Sequence, residues 1–447
     1  MVRGIVSAGH PVTADAAAEI LKDGGNAFDS AIAGLLACLT PETVLASLGG
    51  GGYLMAYDAT TDQTTLYDFF VDTPRLKRPA GEIDFRSVHV DFGPATQEFH
   101  VGVGATATPG FVPGIFAVHA DLCSLPMTRI AEPAVRIARD GVTMTPFQAY
   151  LFSIIAPILT LEEAGAALHA PEGNVLAAGE CFRNPALADT LERLAREGAD
   201  LFVHGDVGKA ILHQSAEAGG HLSLEDLEGY RVEKRLPLNW MHHGHDVFLN
   251  PAPAAGGPLI AFGLGLLELL AKTHRPGAAM ARAPSVIDLA RVMAATNAAR
   301  RLEGARLANL ADRDVIAAHF AELDGHAEAN RGTTHLSVID SRGNAAAATV
   351  SNGEGNGRMV GDHGFMLNNM LGEEDLNPDG FNAWQPGQRM SSMMSPTIIR
   401  APDHTLTGLG SGGSNRIRTA ILQVICNLID PVSYTHLTLP TSSVMGG

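Results

Sequence analysis

Apolar residues along this chain switch between two periods. Near the start they follow helical spacing, with Ala16, Ala17, Ile20 and Leu21 on one face, Thr13 placed to cap the segment and Gly24-Gly25 to end it. A second helix is expected over 27–38. Four glycines, 49–52, then lead into two strand-like runs, 53–57 and 66–70, around a polar turn at 58–62. From 129 to about 323 the chain reads as largely helical, with helix-period apolar positions at 130–138, 186–196, 207–216, 259–270 and 286–299. The proline-rich stretch 251–258 interrupts that region as a rigid loop.

At Thr333 the period falls from 3.6 to 2. Leu336, Val338 and residues 346–350 flank Asp340-Ser341-Arg342-Gly343-Asn344, a hairpin signal. A further strand pair, 397–400 and 405–409, turns on Asp403-His404. The glycine-rich run Gly410-Ser411-Gly412-Gly413-Ser414-Asn415 then opens a helix, expected to carry Ile417, Ala420, Ile421, Val424 and Leu428 on one face. Such a strand-to-helix turn offers backbone N–H groups and the positive end of a helix dipole to an anion.

Composition narrows the function classes. The 447 residues are 46% hydrophobic, ample for a large core in one domain or a few. Lys and Arg number 31 against 48 Asp and Glu, a formal charge of −17 that repels phosphate backbones and anionic membrane surfaces. Nucleic acid and membrane are therefore not expected partners; a small polar molecule is. Cys38, Cys123, Cys181 and Cys426 are widely spaced without a C-x-x-C pair, so neither a disulfide framework nor a zinc site is indicated. His242-His243-Gly244-His245, with no carboxylate at ligand spacing, reads as a solvated turn, and no metal or cofactor is expected. The first residues lack the apolar run of a secretory signal, so the chain as written reads as cytoplasmic, or periplasmic if its true start lies upstream.

The chemistry concentrates at Gly332-Thr333-Thr334-His335. A Thr placed after a Gly and before a strand can become a new N-terminus, and it then holds nucleophile and base in one residue. Its hydroxyl attacks, and the freed α-amine, with an unperturbed pKa of about 7.7–8.0, takes the proton near neutral pH. His335 lies two residues on, on the same strand face as Thr333, and reads as a supporting residue rather than the proton carrier.

Gly9-His10-Pro11, Gly24-Gly25-Asn26-Ala27-Phe28-Asp29, the glycines 49–52, Thr108-Pro109-Gly110, Gly219-Gly220, Thr333-Thr334-His335, Leu367-Asn368-Asn369, Ser391-Ser392 and Gly410 to Ser414 stand in the order of one known family. The chain up to Asp430 resembles the γ-glutamyltranspeptidases, members of the N-terminal nucleophile hydrolases. The resemblance implies an α+β fold, a four-layer αββα sandwich with a helical large-subunit portion. It also implies self-cleavage between Gly332 and Thr333, giving a large subunit 1–332 and a small one from 333 to 430. Thr333 would be the nucleophile, oriented by Ser351, with Gly413 and Ser414 in the oxyanion position. Asn352, Glu373, Ser391 and Ser392 would bind substrate.

Two departures stand out. The Arg with which the family's γ-glutamyl enzymes clamp the substrate α-carboxylate is Phe70 here, and a phenyl ring cannot make that bidentate contact. Arg75 and Arg78 lie near in sequence as substitutes, though each reads more naturally as a solvated surface charge. Residues 431–447 resemble no part of the family and look like a translated transposon-end adapter, so a non-native tail is expected there. The implied activity is acyl transfer from a γ-glutamyl amide such as glutathione to water, an amino acid or a peptide. Alternatives are an acylase of the same family with another amide substrate, or an unprocessed, inactive homologue or scaffold.

Overall fold

The structure is a computed structural model and describes residues 3–91, 96–274, 284–300, 307–319, 333–413 and 416–430. Its strands in chain order are β1 (Gly4–Ala8), β2 (Gly51–Asp58), β3 (Gln63–Phe69), β4 (Arg86–Asp91), β5 (Thr96–Val101), β6 (Val142–Thr143), β7 (Cys181–Phe182), β8 (Glu233–Arg235), β9 (Leu238–His242), β10 (His245–Leu249), β11 (Thr334–Asp340), β12 (Ala345–Ser351), β13 (Thr397–Arg400) and β14 (Leu406–Leu409). Six of them form an antiparallel sheet in the order β1-β11-β12-β2-β3-β8, and four more form a second sheet, β14-β13-β10-β9.

The period-2 pattern decides what each face meets. Leu54, Ala56, Tyr67, Phe69, Leu336, Val338, Ala346 and Ala348 share one core with the helices Pro11–Lys22, Ala27–Ala37, Phe111–Leu122 and Met127–Asp140. Tyr53, Met55, Leu66, Ala345 and Ala347 point the other way. They pack with Val247, Phe248, Ile398 and Ile399 of the second sheet, and that core extends to the helices Gly256–His274, Val286–Ala299 and Arg416–Ile429. The result is the expected four-layer αββα sandwich.

Local chemistry fixes β11 at the end remote from Thr333. Asn26 and Asp29 form a capping box at the start of the helix Ala27–Ala37, and Asp340 at the end of β11 accepts from the Ala27 N–H at 3.0 Å. The same Asp340 carboxylate accepts from the N–H groups of Arg342 and Asn344, which closes the β11–β12 turn.

Three expectations need correction. The first helix starts at Pro11 with His10 as its cap, its Nδ1 accepting from Val12 N–H; Thr13 lies inside the helix and donates to Glu42. The helical middle contains β8, β9 and β10, the last two joined by the two-residue turn His243-Gly244 with both residues at positive φ. The helix Arg416–Ile429 is rotated from its expected face: Ile417, Ile421, Leu422 and Ile425 are buried, while Val424 and Leu428 are exposed. Arg418 is buried there too, a position that an apolar count skips.

Candidate active site

Thr333 lies immediately before β11, half-buried. The β11–β12 register pairs Thr334 with Val350, so one step further along the ladder Thr333 faces Ser351. Both line a cleft whose walls also include Phe70, Glu354, Glu373 and Ser392.

The second sheet presses on this strand end through glycines spaced two apart. A Cβ on Gly408 would sit 3.0 Å from Ser337, one on Gly410 2.2 Å from the His335 ring, and one on Gly412 2.1 Å from the Thr333 carbonyl oxygen. Only residues without a side chain allow β14 and the loop after it to run this close over β11. Gly413 follows with φ +112°, a conformation that favours glycine, and is buried at the foot of the helix Arg416–Ile429. Gly332 and Ser414 lie outside the described residues.

His335 is clasped between two hydroxyls, with Nδ1 2.8 Å from Thr349 Oγ1 and Nε2 2.9 Å from Ser337 Oγ. Burial lowers its pKa to about 3. The ring is therefore neutral at physiological pH, with one nitrogen donating and the other accepting. It is not among the cleft walls. On the opposite face of the strand, Thr334 Oγ1 donates to Glu42, which also accepts from Thr13 Oγ1 at 2.8 Å. Burial raises the pKa of Glu42, and its two hydroxyl donors oppose that rise.

The cleft is acidic. Glu354 and Glu373 are both pushed well above the ordinary carboxylate range, Glu354 mainly by burial and Glu373 by burial together with the charges of Glu354 and Asp375. Glu354 Oε2 and Glu373 Oε1 are buried without a hydrogen-bond partner. Glu98, Glu374 and Asp375 add three more carboxylates to the lining, and no Lys or Arg contributes among the described residues. Phe70 occupies the wall where the clamp was sought and stacks on Tyr53 at 5.7 Å between ring centroids.

The other expected residues divide. Ser392 lines the cleft, its hydroxyl accepting from Met394 N–H at 3.1 Å, and its carbonyl accepts from the N–H groups of Ala255 and Gly256 at the start of the helix Gly256–His274. Ser391 is exposed and outside the lining, and Asn352 faces a neighbouring cavity instead. Arg75 bonds the Gly229 carbonyl, and neither it nor Arg78 reaches the cleft. Sequence reasoning missed Glu354 and Glu42. The available signal for Glu354 was a lone carboxylate in a run of glycines, Gly353, Gly355 and Gly357, all with positive φ.

Residues 13–435 match the family model described as Gamma-glutamyltranspeptidase. The chain belongs to this family. It is 28% identical over 442 residues to the capsule biosynthesis protein CapD proenzyme of Bacillus anthracis, spanning 96% of this chain and 75% of that protein. To the glutathione hydrolase proenzyme of Escherichia coli it is 28% identical, covering 96% and 78%, and to the acylase ACY 1 proenzyme of Pseudomonas sp. strain SE83 it is 29% identical, covering 96% and 80%. Among solved structures, a cephalosporin acylase from Bacillus halodurans superposes with a TM-score of 0.80 at 21% identity, covering 96% of this chain and 80% of that one, a likeness of fold. The gamma-glutamyltranspeptidase of Pseudomonas nitroreducens superposes with a TM-score of 0.60 at 25% identity, covering 73% and 96%. The chain is thus a γ-glutamyltranspeptidase-family enzyme of the N-terminal nucleophile hydrolase fold. Among the described residues, no helix is long and apolar enough to cross a membrane.

Proposed function

We propose that this enzyme matures by scission of the Gly332–Thr333 bond and then transfers an acyl group from an amide donor to water or an amine through a Thr333 ester. The hydroxyl of Thr333 attacks the donor carbonyl, and its freed α-amine takes the proton and returns it to the leaving amine. The N–H groups of Gly413 and Ser414 hold the oxyanion, and Ser351 orients the nucleophile. Strand order supports processing without dissociation. β11 and β12, from the segment after 332, lie between β1 and β2 of the segment before it, so the cut leaves both segments in one sheet.

The donor is a γ-glutamyl-type amide such as glutathione, gripped by its ammonium group. One observation carries this reading: two buried, unpartnered carboxylate oxygens, of Glu354 and Glu373, open beside Thr333. An ammonium group supplies the donors and the charge that this pair lacks. A second reading, an acylase acting on an amide without an α-carboxylate, is favoured by Phe70 and by the lack of cations among the described cleft walls.

Three anilides separate these readings: γ-glutamyl, 4-aminobutyryl, which keeps the ammonium and loses the carboxylate, and glutaryl, which does the reverse. Turnover of γ-glutamyl anilide supports the first reading. Turnover of 4-aminobutyryl anilide alone supports the second. Preference for glutaryl anilide over both contradicts the role given to the acid pair.

A further inference from the structure

The hairpin β9–β10 and the far end of the helix Arg416–Ile429 bring together side chains that no part of the catalytic account uses. His242 ends β9, His243 occupies the turn, and Asp430 follows the helix. One ligand atom from each lies within 4.8 Å of the other two. His242 Nε2 stands 3.5 Å from Asp430 Oδ1, and His243 Nε2 stands 3.4 Å from the same oxygen.

Those separations are long for a charge-assisted N–H···O⁻ bond, which closes to about 2.7–2.9 Å. They match the edge of a tetrahedron around an ion with bonds of about 2.0–2.1 Å, an edge of roughly 3.3–3.5 Å. His242 is 1% exposed and Asp430 5%, and both His242 Nε2 and Asp430 Oδ1 are buried without a hydrogen-bond partner. Two unpartnered atoms of a deeply buried imidazole and a deeply buried carboxylate thus converge with a third ligand from the surface. The opposite nitrogen of His242, Nδ1, is 3.0 Å from Glu268 Oε1, and Glu268 is itself held by Arg313 at 3.0 Å. A carboxylate behind a ligating imidazole fixes the ring and its tautomer and raises its basicity toward a metal.

We propose that His242, His243 and Asp430 form a binding site for a divalent zinc-class ion, with the fourth position open to water. Two imidazoles and one carboxylate are a borderline-soft donor set that suits zinc better than calcium or magnesium, which take oxygen ligands. The site joins the second sheet to the helix whose opposite end bears the Gly413 turn, so the ion braces that helix from about one helix length away from Thr333. The carboxylates missing from the local sequence around His242 come from residues 268 and 430, which only the fold brings near.

The competing account is a protonated His242. Burial disfavours its charge, but Asp430 and Glu268 outweigh that and raise its pKa. Zinc titration of the metal-stripped full chain, read by a chromophoric competitor and by thermal unfolding, distinguishes the two. The matched variant is His243→Asn. His243 has φ +45° and Gly244 φ +84°, a two-residue turn that Asn suits, so the fold is retained while a ligand is lost. The expected result is one zinc per chain, an unfolding temperature raised by zinc, and affinity reduced about tenfold or more in His243→Asn and in Asp430→Asn. Cobalt in place of zinc should give the intense visible bands of a tetrahedral site in the parent and not in the variants. Equal zinc affinity in parent and variants overturns the proposal, as does a parent whose unfolding temperature ignores zinc.

Discussion

The strand end that carries Thr333 and the acidic cleft beside it differ in how they are built. Around Thr333 the determinants are backbone and small groups: the register that sets 333 opposite Ser351, and three glycines that let a second sheet lie against Ser337, His335 and Thr333. In the cleft they are large side chains, Glu354, Glu373 and Phe70. Attack on an amide carbonyl demands fixed atoms at fixed distances, which glycine contacts and strand pairing supply. Donor choice needs only complementary charge and shape, which a few side chains can change without moving the sheet. This division explains how one family holds relatives named glutathione hydrolase and acylase at similar identity to this chain.

The comparison breaks most visibly at Gly412. In Gly412→Ala the new Cβ meets the Thr333 carbonyl oxygen, so the loop proposed to carry the oxyanion donors must shift. Loss of one such donor costs about 2.7–4 kcal/mol, and kcat should fall by about two to three orders of magnitude with KM little changed. Single-turnover kinetics checks this; an unimpaired kcat places the oxyanion donors elsewhere.

Glu373→Gln acts on the other region and should act differently. Removing a charge-assisted contact worth about 1.5–3 kcal/mol raises KM for an ammonium-bearing donor roughly ten- to hundredfold. Donors without the ammonium group should lose far less. A uniform loss across donors would mean that Glu373 supports the nucleophile instead.

pH sharpens the same contrast. Glu354, pushed to about 8, must ionise to attract an ammonium group, so KM for such donors should fall as pH rises toward 8. Stability runs the other way. Between the unfolded value of about 4.3 and the folded one, the native state binds more protons than the unfolded chain. The contribution of this group is fully present below the unfolded value and is lost as pH rises through about 8. In Glu354→Gln that slope should flatten in denaturant titrations across this window; an unchanged slope places the titrating group elsewhere.

The smallest effect is expected on the helical face of the strand. Thr334→Val removes a hydroxyl that donates to Glu42 and should cost about 1–3 kcal/mol of stability by denaturant titration, while kcat stays within about twofold.

Period and spacing in the sequence disclosed most of the elements, because the helices and hairpins around 27–70, 127–217 and 333–409 have clean 3.6- or 2-residue patterns, while the four-layer order came from the family resemblance. The strands 233–249 were hidden by short, polar edges and a His-Gly turn whose first residue seldom signals a hairpin. At the site, a glycine and a strand made Thr333 a weak candidate by themselves, and the ordered family motifs on both sides singled it out. Glu354 and Glu42 were not, since their importance comes from burial beside residues far away in the chain. The same holds for Asp430, whose distance from His242 in sequence concealed a carboxylate that the fold places at 3.5 Å.

Intact-mass and N-terminal analysis of the folded chain, beside Thr333→Ala, tests the central claim most directly. The account predicts two fragments that co-purify, the second beginning at Thr333, with hydrolysis of an amide donor; Thr333→Ala should remain one inactive chain. A parent that is active while uncut, or a Thr333→Ala variant that is cut and active, would contradict it.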